Sequence, residues 1–97
     1  ALVQLEQAIM DHPAVLEAAV IAIPDLRGGE GPAAYVTLKE DASATEQELI
    51  EHVGTRLVWF RAPGAVTFGQ LPKTATGKIH KVALRDEARA AAQRRIP

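Results

Sequence analysis

The residues that could do chemistry are concentrated in one stretch, Leu71-Pro72-Lys73-Thr74-Ala75-Thr76-Gly77-Lys78-Ile79. A lysine ammonium is a mobile point charge suited to a phosphate or a carboxylate, and two of them bracket this segment. Pro72 biases Leu71 toward an extended conformation and removes a backbone donor. Thr74, Thr76 and Gly77 favour a turn over a helix, and Gly77 lets the backbone turn sharply and approach a ligand closely. The stretch reads as a short polar loop with Lys73 and Lys78 at its ends, both free to reach outward. Residue chemistry alone favours the plainer alternative, a solvated hairpin-like turn with two exposed lysines. A phosphate-cradling P-loop is excluded. It requires Gly-x-x-x-x-Gly-Lys-[Ser/Thr], and here Pro72 replaces the first glycine and Ile79 the last hydroxyl.

The elements that must hold this loop follow from the periodicity of apolar residues. Leu2, Leu5 and Ile9 recur at helical spacing, so the first ten residues read as an amphipathic helix. It ends at Asp11-His12-Pro13, where the proline pushes His12 out of helical geometry and makes it a turn residue. Val15 to Ile23, rich in Val, Ile and Ala with Glu17 near its start, reads as a largely buried strand. Pro24 to Pro32 reads as a loop by its Gly and Pro content, with Glu30 either a ligand or hinge contact or a solvated turn acid. Ala33 to Leu38 alternates as a strand, with Tyr35 and Thr37 on one face and Ala34, Val36 and Leu38 on the other. Thr45 followed by Glu48 is a capping-box pattern. It opens a helix with an apolar stripe of Leu49, Ile50, Val53 and Leu57 and with His52 on its polar side. Trp59 and Phe60 read as core-sealing aromatics. After the break at Arg61-Ala62-Pro63-Gly64, Ala65 to Phe68 is a short strand. From Lys81 a last helix runs, supported by Val82, Leu84, Ala88, Ala91 and Ala92, with Arg85, Arg89, Arg94 and Arg95 exposed. The order α-β-β-α-β-loop-α, without repeat or linker, predicts one α+β domain, a small three-stranded sheet covered by about three helices.

Composition excludes several classes of function. Ninety-seven residues make one small domain with a modest core. No apolar run approaches 18 residues, so no membrane span is expected, and the first ten residues do not have the form of a signal peptide. There is no cysteine, hence no disulfide framework or thiolate site, which fits a reducing compartment. His12, His52 and His80 have no metal-ligand spacing, so no metal site is expected, and no Ser/His/Asp or paired-carboxylate arrangement stands out. The net charge of −1 argues against a nucleic-acid binder. Its distribution is uneven: residues 1–69 carry four Lys/Arg against ten Asp/Glu, and residues 70–97 carry seven against two. That asymmetry fits an anionic partner for the lysine-loop end, and it fits a basic helix solvated or docked on the acidic remainder of the chain.

Leu71 to Lys81, LPKTATGKIHK, closely resembles the C-terminal signature of the adenylate-forming enzymes, which include acyl-CoA synthetases, adenylation domains of peptide synthetases and luciferases. Other segments agree. His12 to Val20 is similar to the family's HPAV-x-EAAV segment, Pro24-Asp25 and Gly29-Glu30 to its PD…GE loop, and Phe60-Arg61-Ala62-Pro63 to its aromatic-basic-x-Pro segment. Phe68-Gly69-Gln70 leading into the loop looks closest to the short- and medium-chain acyl-CoA synthetase branch. Gly28 departs from the bulky residue common there. Ala62 and Gly64 stand where relatives often carry basic residues, so the resemblance implies CoA contacts only at Phe60 and Arg61.

The resemblance further implies that residues 1–97 are the mobile C-terminal lid domain of an AMP-forming acyl-CoA synthetase, with the hinge and the large N-terminal adenylation domain lying outside them. The implied reaction joins a carboxylic acid to the α-phosphate of ATP, then passes the acyl group to the thiol of CoA. Lys78 is then the catalytic lysine of adenylation, and Gly77, Thr76, Thr74 and Lys73 shape the loop on the nucleotide side. ATP and Mg2+ are expected mainly on the N-terminal domain, with CoA as co-substrate and a cytoplasmic setting. The isolated domain is expected to fold but not to catalyse. Two alternatives differ in kind: a carrier-protein thiol as acceptor, or a non-enzymatic basic interaction module.

Overall fold

In the computed structural model, which describes residues 2–24, 30–57 and 65–94, the elements follow the expected order. They are α1 (Leu2–Met10), β1 (Val15–Pro24), β2 (Glu30–Leu38), α2 (Glu46–Arg56), β3 (Ala65–Phe68) and α3 (Lys81–Arg94). β1 and β2 pair antiparallel, β2 and β3 pair parallel, and the sheet order is β1-β2-β3. A parallel pair needs a crossover connection, and α2 lies within it. The α+β reading with a three-stranded sheet and three helices is the observed architecture.

Alternation along the strands sorts side chains into two cores. Leu5 and Ile9 of α1 and Leu49 and Val53 of α2 meet Val20 and Val36 on one face of the sheet. Leu84 and Ala88 of α3, together with Leu71, meet Ala19, Ile21 and Ala33 on the other. Tyr35 is partly buried on that second face, and desolvation there, with Glu87 nearby, raises the pKa of its phenol. Among the described residues, polar side chains stay out of the fully buried core.

Both outer strands have an edge amide taken by a helix glutamate. Glu6 of α1 accepts from the Val20 amide at 2.8 Å and Glu46 of α2 from the Val66 amide at 2.8 Å. Each bond occupies one edge amide that could otherwise pair with another chain. Glu6 also meets Lys81 at 2.6 Å, which fixes the start of α3 to α1 and β1 at once.

The helix signals behave as expected at their starts. Thr45 is extended, and its hydroxyl accepts from the Glu48 amide at 3.1 Å, the N-cap half of the expected box. α1 stops where expected: the His12 ring accepts from the Ala14 amide at 3.1 Å and the His12 carbonyl from Val15 at 3.1 Å, which stitches the turn.

Four expectations are corrected. Glu30, Gly31 and Pro32 belong to β2, paired with Pro24, Ile23 and Ala22; Gly and Pro weaken a ladder without ending it. Val82 is 58% exposed and lies off the core stripe, because two residues advance a helix by about 200° and place it opposite Leu84. His52 is not a solvated polar-face residue. Its ring stands edge-on to His12 at 5.0 Å, and its Nε2 is buried without a partner among the described residues. Lys73 is not free to reach outward, because Glu17 of β1 holds its ammonium.

Candidate functional site

The lysine loop is a tight hairpin between β3 and α3. Its root is hydrophobic: Leu71 is buried in the second core, and Ile79 packs against the same cluster. Lys73 and Ile79 pair as an antiparallel bridge. The limbs are closed by bonds from the His80 amide to the Pro72 carbonyl and from the Thr74 amide to the Lys78 carbonyl, each 2.7 Å. At the tip the Gly77 amide donates to the Thr74 carbonyl at 2.9 Å, and Gly77 has φ +85°. L side chains rarely adopt that region, so the glycine serves the turn itself.

The two threonines are spent inside the loop. Thr74 Oγ1 lies 2.9 Å from Thr76 Oγ1 and accepts from the Lys78 amide at 3.3 Å. Both hydroxyls thus hold the turn from within. Beyond the hairpin, the His80 ring accepts from the Ala83 amide at 2.9 Å and its carbonyl from Leu84 at 3.3 Å. His80 therefore caps α3 in the manner of Ser or Asp. Sequence reasoning weighed His80 only as a metal ligand. Its place three residues before Ala83, at the opening of an apolar helical stripe, was the available signal.

The three lysines of this region have different electrostatic surroundings. Lys73 donates to Glu17 of β1 at 2.7 Å, and Lys81 meets Glu6 at 2.6 Å. Lys78 is exposed, and among the described residues no carboxylate pairs with it. The free outward reach expected of both loop lysines thus holds for Lys78 alone. Lys73 is captured because the strand places a carboxylate beside it. Glu17 was noted in the sequence only as an acid near a strand start, since its partner lies 56 positions away.

Such an arrangement presents one uncompensated ammonium on a braced backbone. It can neutralise or bridge anions brought against it, because a preorganised donor stabilises developing negative charge without reorganising. No group of three or more His, Cys, Asp or Glu that could hold a metal occurs among the described residues. Phe60 and Arg61, the expected CoA contacts, lie outside the described residues, as does Trp59.

Comparison with known proteins covers the same residues. The family model described as AMP-binding enzyme C-terminal domain matches residues 4–78. The chain is 45% identical over 92 residues to the peroxisomal acetate/butyrate–CoA ligase of Arabidopsis thaliana, covering 90% of this chain and 16% of that protein. Among solved structures, the anthranilate–CoA ligase in complex with anthranoyl-AMP superposes with a TM-score of 0.84 at 36% identity, over 94% of this chain and 18% of that one. The Brucella canis acyl-CoA synthetase superposes with a TM-score of 0.82 at 36% identity, over 95% and 18%. The chain thus spans less than one fifth of the length of these relatives.

Proposed function

Because this chain belongs to the AMP-binding enzyme C-terminal domain family, we propose that it is the lysine-bearing lid of an AMP-forming acyl-CoA synthetase, an acid–thiol ligase. The observation that carries the reading is the electrostatic state of Lys78, a cation without a carboxylate partner among the described residues, while the lysines on either side of it are both paired. The bonds between Lys78 and Thr74 hold its backbone and leave the ammonium uncommitted.

In the proposed first half-reaction a carboxylate oxygen attacks the α-phosphorus of ATP and pyrophosphate leaves. Two anions must approach each other, so catalysis is chiefly charge neutralisation and positioning. The Lys78 ammonium is a donor for oxygens of both. Gly77, with no side chain, keeps the approach narrow, and the Thr74 and Thr76 hydroxyls hold the turn. In this reading ATP and Mg2+ are bound mainly by the N-terminal adenylation domain, and the lid supplies the Lys78 cation. In the second half-reaction the CoA thiol displaces AMP after the lid has turned and withdrawn Lys78. Such lid motion both excludes water and gates turnover. The names of the relatives, which specify acetate/butyrate and anthranilate as acids, support a carboxylic acid as substrate and CoA as acceptor. A cytoplasmic setting, inactivity of the isolated domain and CoA contacts at Phe60 and Arg61 belong to the same proposal.

The test is pyrophosphate release by the full-length protein carrying Lys78→Ala, at matched folded concentration. Severe loss is expected. Release at the unsubstituted rate would return the hairpin to a solvated turn.

A further inference from the structure

β1 has one irregularity, and it lies beside the hairpin. The register slips between Val15, paired with Leu38, and Glu17, paired with Thr37. Leu16 is the extra residue and is 56% exposed. A bulge of this kind changes which face the following side chains take. Val15 lies with the α1/α2 core, and beyond the bulge Ala18 and Val20 do too. Glu17 therefore falls in line with Ala19 and Ile21, on the face covered by α3 and the hairpin root. Glu17 keeps the ordinary alternation with Ala18, and the extra residue returns Val15 to the first core, whereas an unbulged strand would put Val15 on the face of Glu17.

Turned this way, Glu17 meets the Lys73 ammonium at 2.7 Å, with the two side chains only 30% and 38% exposed. Together they form one wall of a groove of about 270 Å³ that also includes Leu16, Thr37, Gln70 and Leu71. Lys73 is bridged to Ile79, the residue after Lys78, and Thr74 is bonded to Lys78 through its amide and its hydroxyl. Restraint applied at Lys73 thus reaches the Lys78 backbone through one pair of hydrogen-bonded neighbours.

We propose that Glu17 is a positioning residue for Lys78. It anchors the Lys73 limb of the hairpin to β1, and it neutralises Lys73 so that an incoming anion is drawn to Lys78 and not shared between two ammoniums. The proposal rests on the reading of Lys78 as the adenylating lysine.

The test uses the full-length protein with Glu17→Gln, which keeps length and shape and removes the charge. The kcat for pyrophosphate release should fall about three- to tenfold, as befits a partly exposed ion pair acting through geometry, with KM for ATP little changed. Thioester formation from supplied acyl-adenylate should not change. Amide hydrogen exchange in the peptide spanning residues 71–80 should speed up, and exchanging the charges in Glu17→Lys/Lys73→Glu should restore most of the lost rate and protection. Equal loss in both half-reactions, or unaltered exchange with unaltered kcat, would overturn the proposal. Lys78→Ala run alongside separates the levels. If it slows pyrophosphate release while Glu17→Gln does not, the positioning role fails and the adenylation reading stands. If Lys78→Ala has no effect, the reading falls and the positioning role falls with it.

Discussion

Thr74 and Lys78 hold each other twice: the Thr74 amide donates to the Lys78 carbonyl at 2.7 Å, and the Thr74 hydroxyl accepts from the Lys78 amide at 3.3 Å. The hydroxyl also meets Thr76 at 2.9 Å. The backbone bond survives any side-chain change, so Thr74→Val isolates the hydroxyl at nearly constant shape. One neutral hydrogen bond is worth about 1 kcal/mol. If all of it serves positioning, adenylation should slow about fivefold. Thr74→Ser should retain most of the rate in the same pyrophosphate assay. Equal rates for the Val and Ser variants would show that the hydroxyl pair is incidental.

Gly77 offers a separable test of backbone strain. A Cβ built there meets nothing within 4 Å, yet φ is +85°. The penalty of Gly77→Ala is therefore conformational, about 1–2 kcal/mol, with no steric clash to relieve. Gly77→Asn should cost less, because asparagine tolerates the left-handed region better than alanine. Thermal unfolding should rank the proteins glycine, asparagine, alanine, and pyrophosphate release should follow that order. An alanine variant as stable as the parent would mean that the turn relaxes to another conformation at no cost.

How much of this was legible in the sequence depended on how local each cause was. Thr45 to Glu48, the stop at Pro13 and the β3 boundaries were set by neighbouring residues and stood as read. The hairpin form of the lysine loop was legible for the same reason, since Pro72 and Gly77 impose it on their own surroundings. Pairings across long sequence separation were not. Nothing near Lys73 announces Glu17, which lies 56 positions away in the chain. The partial burial of His52 was missed because helical periodicity assigns a side but does not say what the neighbouring turn places there. In this case it is His12.

His52 gives the domain an acid-sensitive joint between α2 and the end of α1. Burial holds its imidazole pKa below the ordinary value of 6.5. The charges of Arg56 and His12 act in the same sense, against the Ala8 carbonyl and Asp11. The folded pKa is thus below the unfolded one, and the unfolded chain takes up the proton more readily. The stabilising contribution is complete above about pH 6.5 and is lost as pH falls through the folded value. Calorimetric Tm should be insensitive to this group at neutral pH and decline below it. His52→Leu should decline less steeply over the same range. Parallel declines would place the acid sensitivity elsewhere in the domain.

Lys78 itself should separate the two half-reactions. On the proposed function its charge acts where a carboxylate and a phosphate meet, and that encounter belongs to adenylate formation alone. Loss of one preorganised donor costs about 10²–10³ in rate, so Lys78→Ala should reduce pyrophosphate release by that order. Lys78→Gln keeps a polar side chain without the charge, and it should fall nearly as far, because the remaining amide is a weaker, undirected donor. Lys78→Arg should fall less in charge stabilisation but lose the compact ammonium, and the guanidinium fork is no substitute for a point charge in a narrow approach. Thioester formation from supplied acyl-adenylate should change little in any of the three if, as proposed, the lid is turned away in that step. The hairpin gives the comparison its force: Lys78 makes no carboxylate pair among the described residues, and its backbone bonds do not involve the ammonium. Truncating the side chain should therefore leave the fold and its thermal stability unaltered. Matched losses in both half-reactions, with lowered stability, would mean that Lys78 docks the domain and does not act on the reacting anions.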